Sequence, residues 1–306
     1  MPAANTALET LVFGGTGTIG SRVVKDLREK GVPVRPLSRS TTPSFFWDDP
    51  ETWKAALEGA DRAFILHPEL LGTESGQQIT RLAHAAAAAG VKRLVLLSGL
   101  GADDLVKVAE EGVKSSGAEW TILRPSWFDQ DFQTNTMPGF REGIMSGKFE
   151  TVLGSEVHGF IDADDIDAVA AAVLTEPGHD GKTYDLSGPR LLSIREAVGE
   201  IANALDRNIE FVNLTPQQLR AAHCAGRARG GRGLAGHARS DGQGRSGDRG
   251  TGGPRQSAGE FRGLRAAGSS RWSVGLRKGR GEDECSGRAS VNVAKLQGPA
   301  RAARQF

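Results

Sequence analysis

The sequence predicts an α/β fold built on a doubly wound parallel sheet, and three observations carry that expectation. Apolar runs of strand length alternate with amphipathic helical stretches from about residue 10 to residue 205. The run Leu94-Val95-Leu96-Leu97 is apolar at every position, as a strand buried on both faces must be. The first apolar run, Leu11-Val12-Phe13, stops at Gly14-Gly15-Thr16-Gly17-Thr18-Ile19-Gly20 and passes at once into an amphipathic segment.

The elements follow in order. Thr10–Phe13 reads as the first strand and Gly17–Lys30 as the first helix, with Gly31 placed to close it. Val32–Ser38 is the second strand. Phe45-Phe46-Trp47 suggests a short third strand, and Asp49-Pro50 opens a helix that runs to about Glu58. Arg62–Pro68, Lys92–Ser98 and Glu119–Arg124 are the next strands, separated by helices over Gln77–Ala89 and Asp104–Ser116. After Pro125 the pattern loosens through Glu150. Gly159–Asp162 then leads as a short strand into a helix over Ala163–Thr175, whose start Asp162, Asp164 and Asp165 are suited to cap. Lys182–Leu186 (strand), Ser193–Leu205 (helix), Ile209–Val212 (strand) and a helix begun at Thr215-Pro216 complete the pattern.

The 306 residues carry a net charge of +1, so nothing in the balance points to nucleic acid or an anionic membrane. No apolar run approaches the ~20 residues of a membrane span, and no signal-peptide pattern is evident, so a soluble cytoplasmic protein is expected. Cys224 and Cys285 form no disulfide framework and no metal-ligand spacing. No metal site is expected.

The glycines satisfy G-x-G-x-x-G at Gly15, Gly17 and Gly20, and G-x-x-G-x-x-G at Gly14, Gly17 and Gly20. Strand before and helix after is the context in which this spacing cradles a pyrophosphate. The turn needs positive φ, the backbone must approach the phosphates, and the helix N-terminus offers N–H groups and positive potential. The end of the second strand, where this fold meets the adenosine ribose, carries Ser38-Arg39-Ser40 and no carboxylate. An arginine there suits a 2′-phosphate, so NADP is expected over NAD, with both serines as further donors.

As a set, the glycine motif, Trp47-Asp48-Asp49-Pro50, Leu94–Ser98, Trp120-Thr121-Ile122-Leu123-Arg124-Pro125-Ser126-Trp127-Phe128, Phe160-Ile161-Asp162 and Tyr184-Asp185-Leu186-Ser187-Gly188-Pro189 resemble the NmrA-like atypical short-chain dehydrogenases. The resemblance covers residues 9–222 and is strongest to the branch named after fungal ergot-alkaloid reductases. It implies a Rossmann-type NAD(P)-binding domain over 1–222, with a small substrate lobe drawn mainly from 126–158 and 176–222. Gly14, Thr16, Gly17, Thr18, Ile19 and Gly20 would hold the pyrophosphate and Arg39 the 2′-phosphate. His67, Pro68, Ser98, Pro125, Trp127 and Phe128 would lie along the nicotinamide half. Because they follow Arg124-Pro125 at the carboxyl edge of the sheet, Trp127 and Phe128 read as a lid over the nicotinamide, the alternative being ordinary core. Three positions depart from the pattern: Phe46 replaces an Asp that contacts adenine, Val106 replaces a polar residue facing substrate, and Asp131 replaces an Asn.

The Tyr with a Lys four residues later that serves ordinary reductases of this fold is absent, because the single tyrosine, Tyr184, is followed at that distance by Gly188. Lys107, Ser98, His67 or water remain as proton donors. Three readings stay open: an NADP-dependent oxidoreductase acting on a small quinone, enal or iminium, an NADP(H)-binding redox sensor without catalysis, and a non-functional product whose substrate lobe lacks its closing helices. The expected partner is the small-molecule substrate, with a homodimer allowed and no specific nucleic acid.

From His223 to Phe306 the chain becomes rich in Gly and Arg and poor in large apolar residues. Such a stretch cannot bury enough apolar surface to offset its ordering entropy, and disorder is expected. Its composition is what a GC-rich gene read in a shifted frame would yield, the alternative being a genuine disordered extension.

Overall fold

The computed structural model describes residues 9–71, 73–134, 137–154, 156–215, 217–218, 276–277 and 288–292. It divides into two compact units, Met1–Leu214 with Val274–Phe306 and Thr215–Ser273, and the site lies in the first. Its strands are β1 (Glu9–Phe13), β2 (Val34–Leu37), β3 (Ala60–Ile65), β4 (Arg93–Leu97), β5 (Glu119–Pro125), β6 (Lys148–Thr151), β7 (Val157–His158), β8 (Lys182–Ser187), β9 (Leu192–Ser193), β10 (Glu210–Asn213), β11 (Leu276–Arg277) and β12 (Arg288–Asn292). The helices are α1 (Gly20–Glu29), α2 (Glu51–Leu57), α3 (Thr73–Ala88), α4 (Asp103–Lys114), α5 (Phe140–Ser146), α6 (Ala163–Thr175) and α7 (Ile194–Ala204).

A parallel core in the order β8-β5-β4-β3-β1-β2 forms the centre. Within the stretch expected to lack structure, β12 runs parallel beside β8 and β11 pairs antiparallel with β12. The rest of that stretch, and the leader before residue 9, lie outside the described residues.

Period-two alternation explains how one sheet fills two cores. Leu11, Phe13, Leu94 and Leu96 face one side, where Trp53, Ile79, Leu82, Ala109 and Val113 of α2, α3 and α4 cover them. Val12, Val95 and Leu97 face the other side, against Val23, Val24 and Leu27 of α1 and Ile166, Ala170 and Leu174 of α6. A third cluster lies away from the sheet, with Phe132, Phe140, Phe149, Phe160, Ile194 and Ile201 at its centre.

The expected strand at Phe45–Trp47 does not form. The chain turns back there, Phe45 N–H donates to Ser38 O, and Phe45 and Trp47 pack as a cluster with Phe13. An apolar run of that length asks only for burial, which a packed turn supplies as well as a ladder does. The expected strand at Gly159–Asp162 shrinks to a single bridge between Ile161 and Phe128, preceded by the short antiparallel pair β7–β9. Pairing of β10 with β6, inside the stretch where the pattern loosens, was not expected. Asp162 caps α6 by accepting from Asp164 N–H, as expected. Thr215 and Gln218 exchange the two bonds of a capping box, with the rest of that helix outside the described residues.

Candidate functional site

The chain leaves β1 to β2 on one side and to β3 on the other, so the sheet has its switch point between β1 and β3. In open parallel sheets the crevice beyond the carboxyl ends at such a point receives the ligand. The candidate residues cluster on that edge.

Gly14 adopts φ +74° at the end of β1, and the amides of Gly14 and Gly15 both donate to Leu37 O of β2. A Cβ on Gly15 would stand 2.7 Å from Pro36 Cβ, and one on Gly20 would stand 2.2 Å from Gly14 O. These glycines are required by the protein's own packing. Gly17 is different: a Cβ there would meet only Gly14 O at 3.4 Å, an ordinary contact. It is exposed, and its open side is the space a phosphate group would enter. Helix α1 has no side-chain cap and no acidic residue in its first turn, so its positive end is left for an anion. These features fit a dinucleotide's pyrophosphate. Thr16 is exposed and Thr18 half-buried, whereas the Ile19 side chain is in the core, so Ile19 could offer only its backbone.

Ser38, Arg39 and Ser40 form a tight turn beyond β2. Ser40 N–H donates to Ser38 Oγ at 3.2 Å, and the two hydroxyls lie 3.1 Å apart. Arg39 is exposed, and among the described residues no carboxylate pairs with it.

His67 lies buried just beyond β3, its ring 4.4 Å from the Trp47 ring system. Nδ1 accepts from Glu69 N–H at 3.0 Å, so the ring hydrogen is on Nε2, which donates to Gln78 Oε1 at 2.9 Å. Burial lowers its pKa, against the raising effect of the Gln78 bond, and so disfavours the charged imidazolium. Pro68 is exposed beside it.

Ser98 follows β4 directly, buried, and its hydroxyl donates to Glu110 Oε1 at 2.6 Å. Arg124 near the end of β5 grips the same carboxylate with Nε at 2.8 Å and Nη2 at 2.6 Å. Burial alone would raise the Glu110 pKa, but the bonds from Arg124 and Ser98 outweigh it and hold the pKa below the usual value. Glu110 and Arg124 escaped the sequence reading. The available signal was an arginine at the end of the apolar strand Thr121-Ile122-Leu123, where a charge must have a buried partner.

Lys107 stands apart. It is exposed on α4 and lies 3.9 Å from Glu111, while its neighbour Val106 is fully buried. Pro125 is buried at the end of β5. The next two aromatics diverge: Phe128 packs against the sheet core, whereas Trp127 joins the third cluster, its ring system 4.8 Å from the His158 ring and 6.0 Å from Phe140. Asp131, buried beside them, accepts Phe128 N–H at 3.0 Å. Burial raises its pKa to about 6, with that bond opposing.

Among the described residues no cluster of His, Cys, Asp and Glu could hold a metal ion, and no helix is long and apolar enough to cross a membrane.

A family profile described as NAD(P)H-binding matches residues 46–177. The chain is 35% identical over 232 residues to an NAD(P)H azoreductase of Xenophilus azovorans, covering 69% of this chain and 79% of the relative. It is 29% identical over 233 residues to an agroclavine dehydrogenase of Claviceps fusiformis, covering 69% and 78%. The NADPH complex of quinone oxidoreductase QOR2 from Escherichia coli has the same fold, with a TM-score of 0.58 at 24% identity over 70% of this chain and 81% of that one.

Proposed function

Because the chain belongs to the NAD(P)H-binding oxidoreductase family of atypical short-chain reductases, we propose that it transfers hydride from NADPH to a small quinone, enal or iminium acceptor. The observation that carries this reading is the open side of Gly17 at an α1 terminus with neither cap nor acid. Gly14, Thr16, Gly17 and Thr18, with the backbone of Ile19 and Gly20, would hold the pyrophosphate. The unpaired Arg39 would meet the 2′-phosphate, which selects NADP over NAD. When bound, the reduced nicotinamide supplies the hydride.

The placement of the protons supports this choice of acceptor class. His67 has both ring nitrogens engaged, Ser98 gives its hydrogen to Glu110, and Lys107 is exposed in an ion pair. A site without a ready acid suits acceptors whose hydride adduct needs none at once. An iminium becomes a neutral amine, and a quinone becomes a stabilised phenolate that takes its proton from water. The absence of a Tyr-Lys pair also supports the second reading, a redox sensor that binds NADP(H) without turnover.

The deciding experiment follows NADPH absorbance with menadione, an enal and an iminium ion, using the full chain and Gly17→Asp. Turnover in the parent that Gly17→Asp lowers about a hundredfold or more, at unchanged Tm, supports the reductase. Tight NADPH binding with no consumption supports the sensor. No binding by the folded chain removes both.

A further inference from the structure

The triad Ser98–Glu110–Arg124 buries an ion pair and a hydroxyl together at the carboxyl edge of the sheet. Glu110 is 3% exposed and Arg124 8%. A serine has one hydrogen to give. Here it goes to a carboxylate at 2.6 Å, a short charge-assisted bond. The carboxylate cannot turn away, because Arg124 holds both its oxygens and Lys114 lies 3.8 Å from Oε2. It also stays ionised, since the same bonds keep its pKa low. Ser98 Oγ is thereby left with lone pairs only, and among the described residues no donor bonds it. Its backbone is equally fixed, with the amide donating to Leu123 O at 2.7 Å.

Ser98 follows β4, which in the order β1-β3-β4 stands two strand spacings from β1, roughly 10 Å. A dinucleotide with its pyrophosphate over β1 and its adenosine toward β2 would bring its nicotinamide to that side. The carboxamide on that ring carries N–H donors at one end and a carbonyl at the other, and a hydroxyl that can only accept distinguishes the two. We propose that Glu110 and Arg124 are positioning residues that fix Ser98 as a hydrogen-bond acceptor for the carboxamide N–H of the nicotinamide. This rests on the cofactor reading above and deepens it: one hydrogen-bond polarity, set beneath the site, orients the ring for hydride transfer.

The test compares NADPH with its reduced 3-acetylpyridine analogue, in which a methyl ketone replaces the carboxamide and no N–H remains. The readout is the ratio of the two dissociation constants for each full-length protein, which cancels any general loss of affinity. Relative to the parent, Ser98→Ala is expected to shift the ratio about tenfold toward the analogue, and Ser98→Thr to hold it within about twofold. Glu110→Gln can misfold by leaving Arg124 unpaired, so the pair is removed as Glu110→Met with Arg124→Leu. With Ser98 free to rotate, that variant is expected to lose part of the discrimination while still melting cooperatively. An unchanged ratio in Ser98→Ala overturns the inference, and an unchanged ratio in the folded double variant overturns the positioning role. If the parent binds neither nucleotide, the cofactor reading itself has failed. If it binds both and the ratio does not move, only this inference has.

Discussion

The candidate nucleotide edge of the sheet and the lobe beside it are built from opposite materials. The edge is backbone: glycines packed so closely that Gly20 leaves no room for a Cβ against Gly14 O, with few side chains in the loop itself. The lobe is side chain. Phe132, Phe140 and Phe149 have ring centroids 5.0–6.1 Å apart, with Phe211 stacked on Phe149 at 5.7 Å. A phosphate is recognised by amides and a helix end, which any sequence supplies once glycine lets the backbone come close. An apolar acceptor is recognised by shape and aromatic surface, which side chains alone supply. The difference teaches that substitutions at the edge act through backbone fit and those in the lobe through packing and burial.

The largest effect tests the edge. Gly20→Val puts a branched side chain where even a Cβ would stand 2.2 Å from Gly14 O, and separating α1 from β1 is expected to cost about 3 kcal/mol or more. Chemical denaturation should show the lowered midpoint, with NADPH binding lost as well. Gly17→Asp is the contrast, since it should leave the midpoint in place.

Asp131 tests the lobe. Its folded pKa of about 6 lies above the ordinary aspartate value of 3.8, so the folded state holds the proton more tightly than the unfolded chain. Ionising it therefore costs stability as pH rises from about 4 through 6. Asp131→Asn can still accept Phe128 N–H and has no charge to bury. It is expected to stabilise the protein by roughly 1–3 kcal/mol at pH 8 and by almost nothing at pH 4. Melting curves at the two pH values would expose an error in sign.

Arg39 should give the smallest change. Arg39→Asp is expected to weaken NADPH binding about tenfold to a hundredfold while leaving or improving NADH binding, with no change in melting temperature. Equal losses for both cofactors would detach Arg39 from the 2′-phosphate.

Much of the edge was legible because its signals are local. The glycine spacing after Leu11-Val12-Phe13, the carboxylate-free tip at Ser38-Arg39-Ser40 and the cap at Asp162 each lie within a few residues. The lobe was less legible. Its β6–β10 pairing joins Lys148–Thr151 to Glu210–Asn213, and a two-stranded parallel pair so distant in sequence leaves no period to read. Phe45–Trp47 was misread as a strand because an apolar run reports burial and not hydrogen bonding.

By itself the sequence determined the strand–helix alternation, the two-faced sheet and the glycine turn after the first strand, because residue periodicity and glycine's steric freedom are properties of consecutive residues. Only the tertiary structure decided which way protons point. Residue types alone made Ser98 and His67 eligible donors. Glu110, twelve positions from Ser98, and Gln78, eleven from His67, take those hydrogens. A hydroxyl or imidazole is donor or acceptor according to the partner that packing brings to it, and that partner comes from another element of the fold.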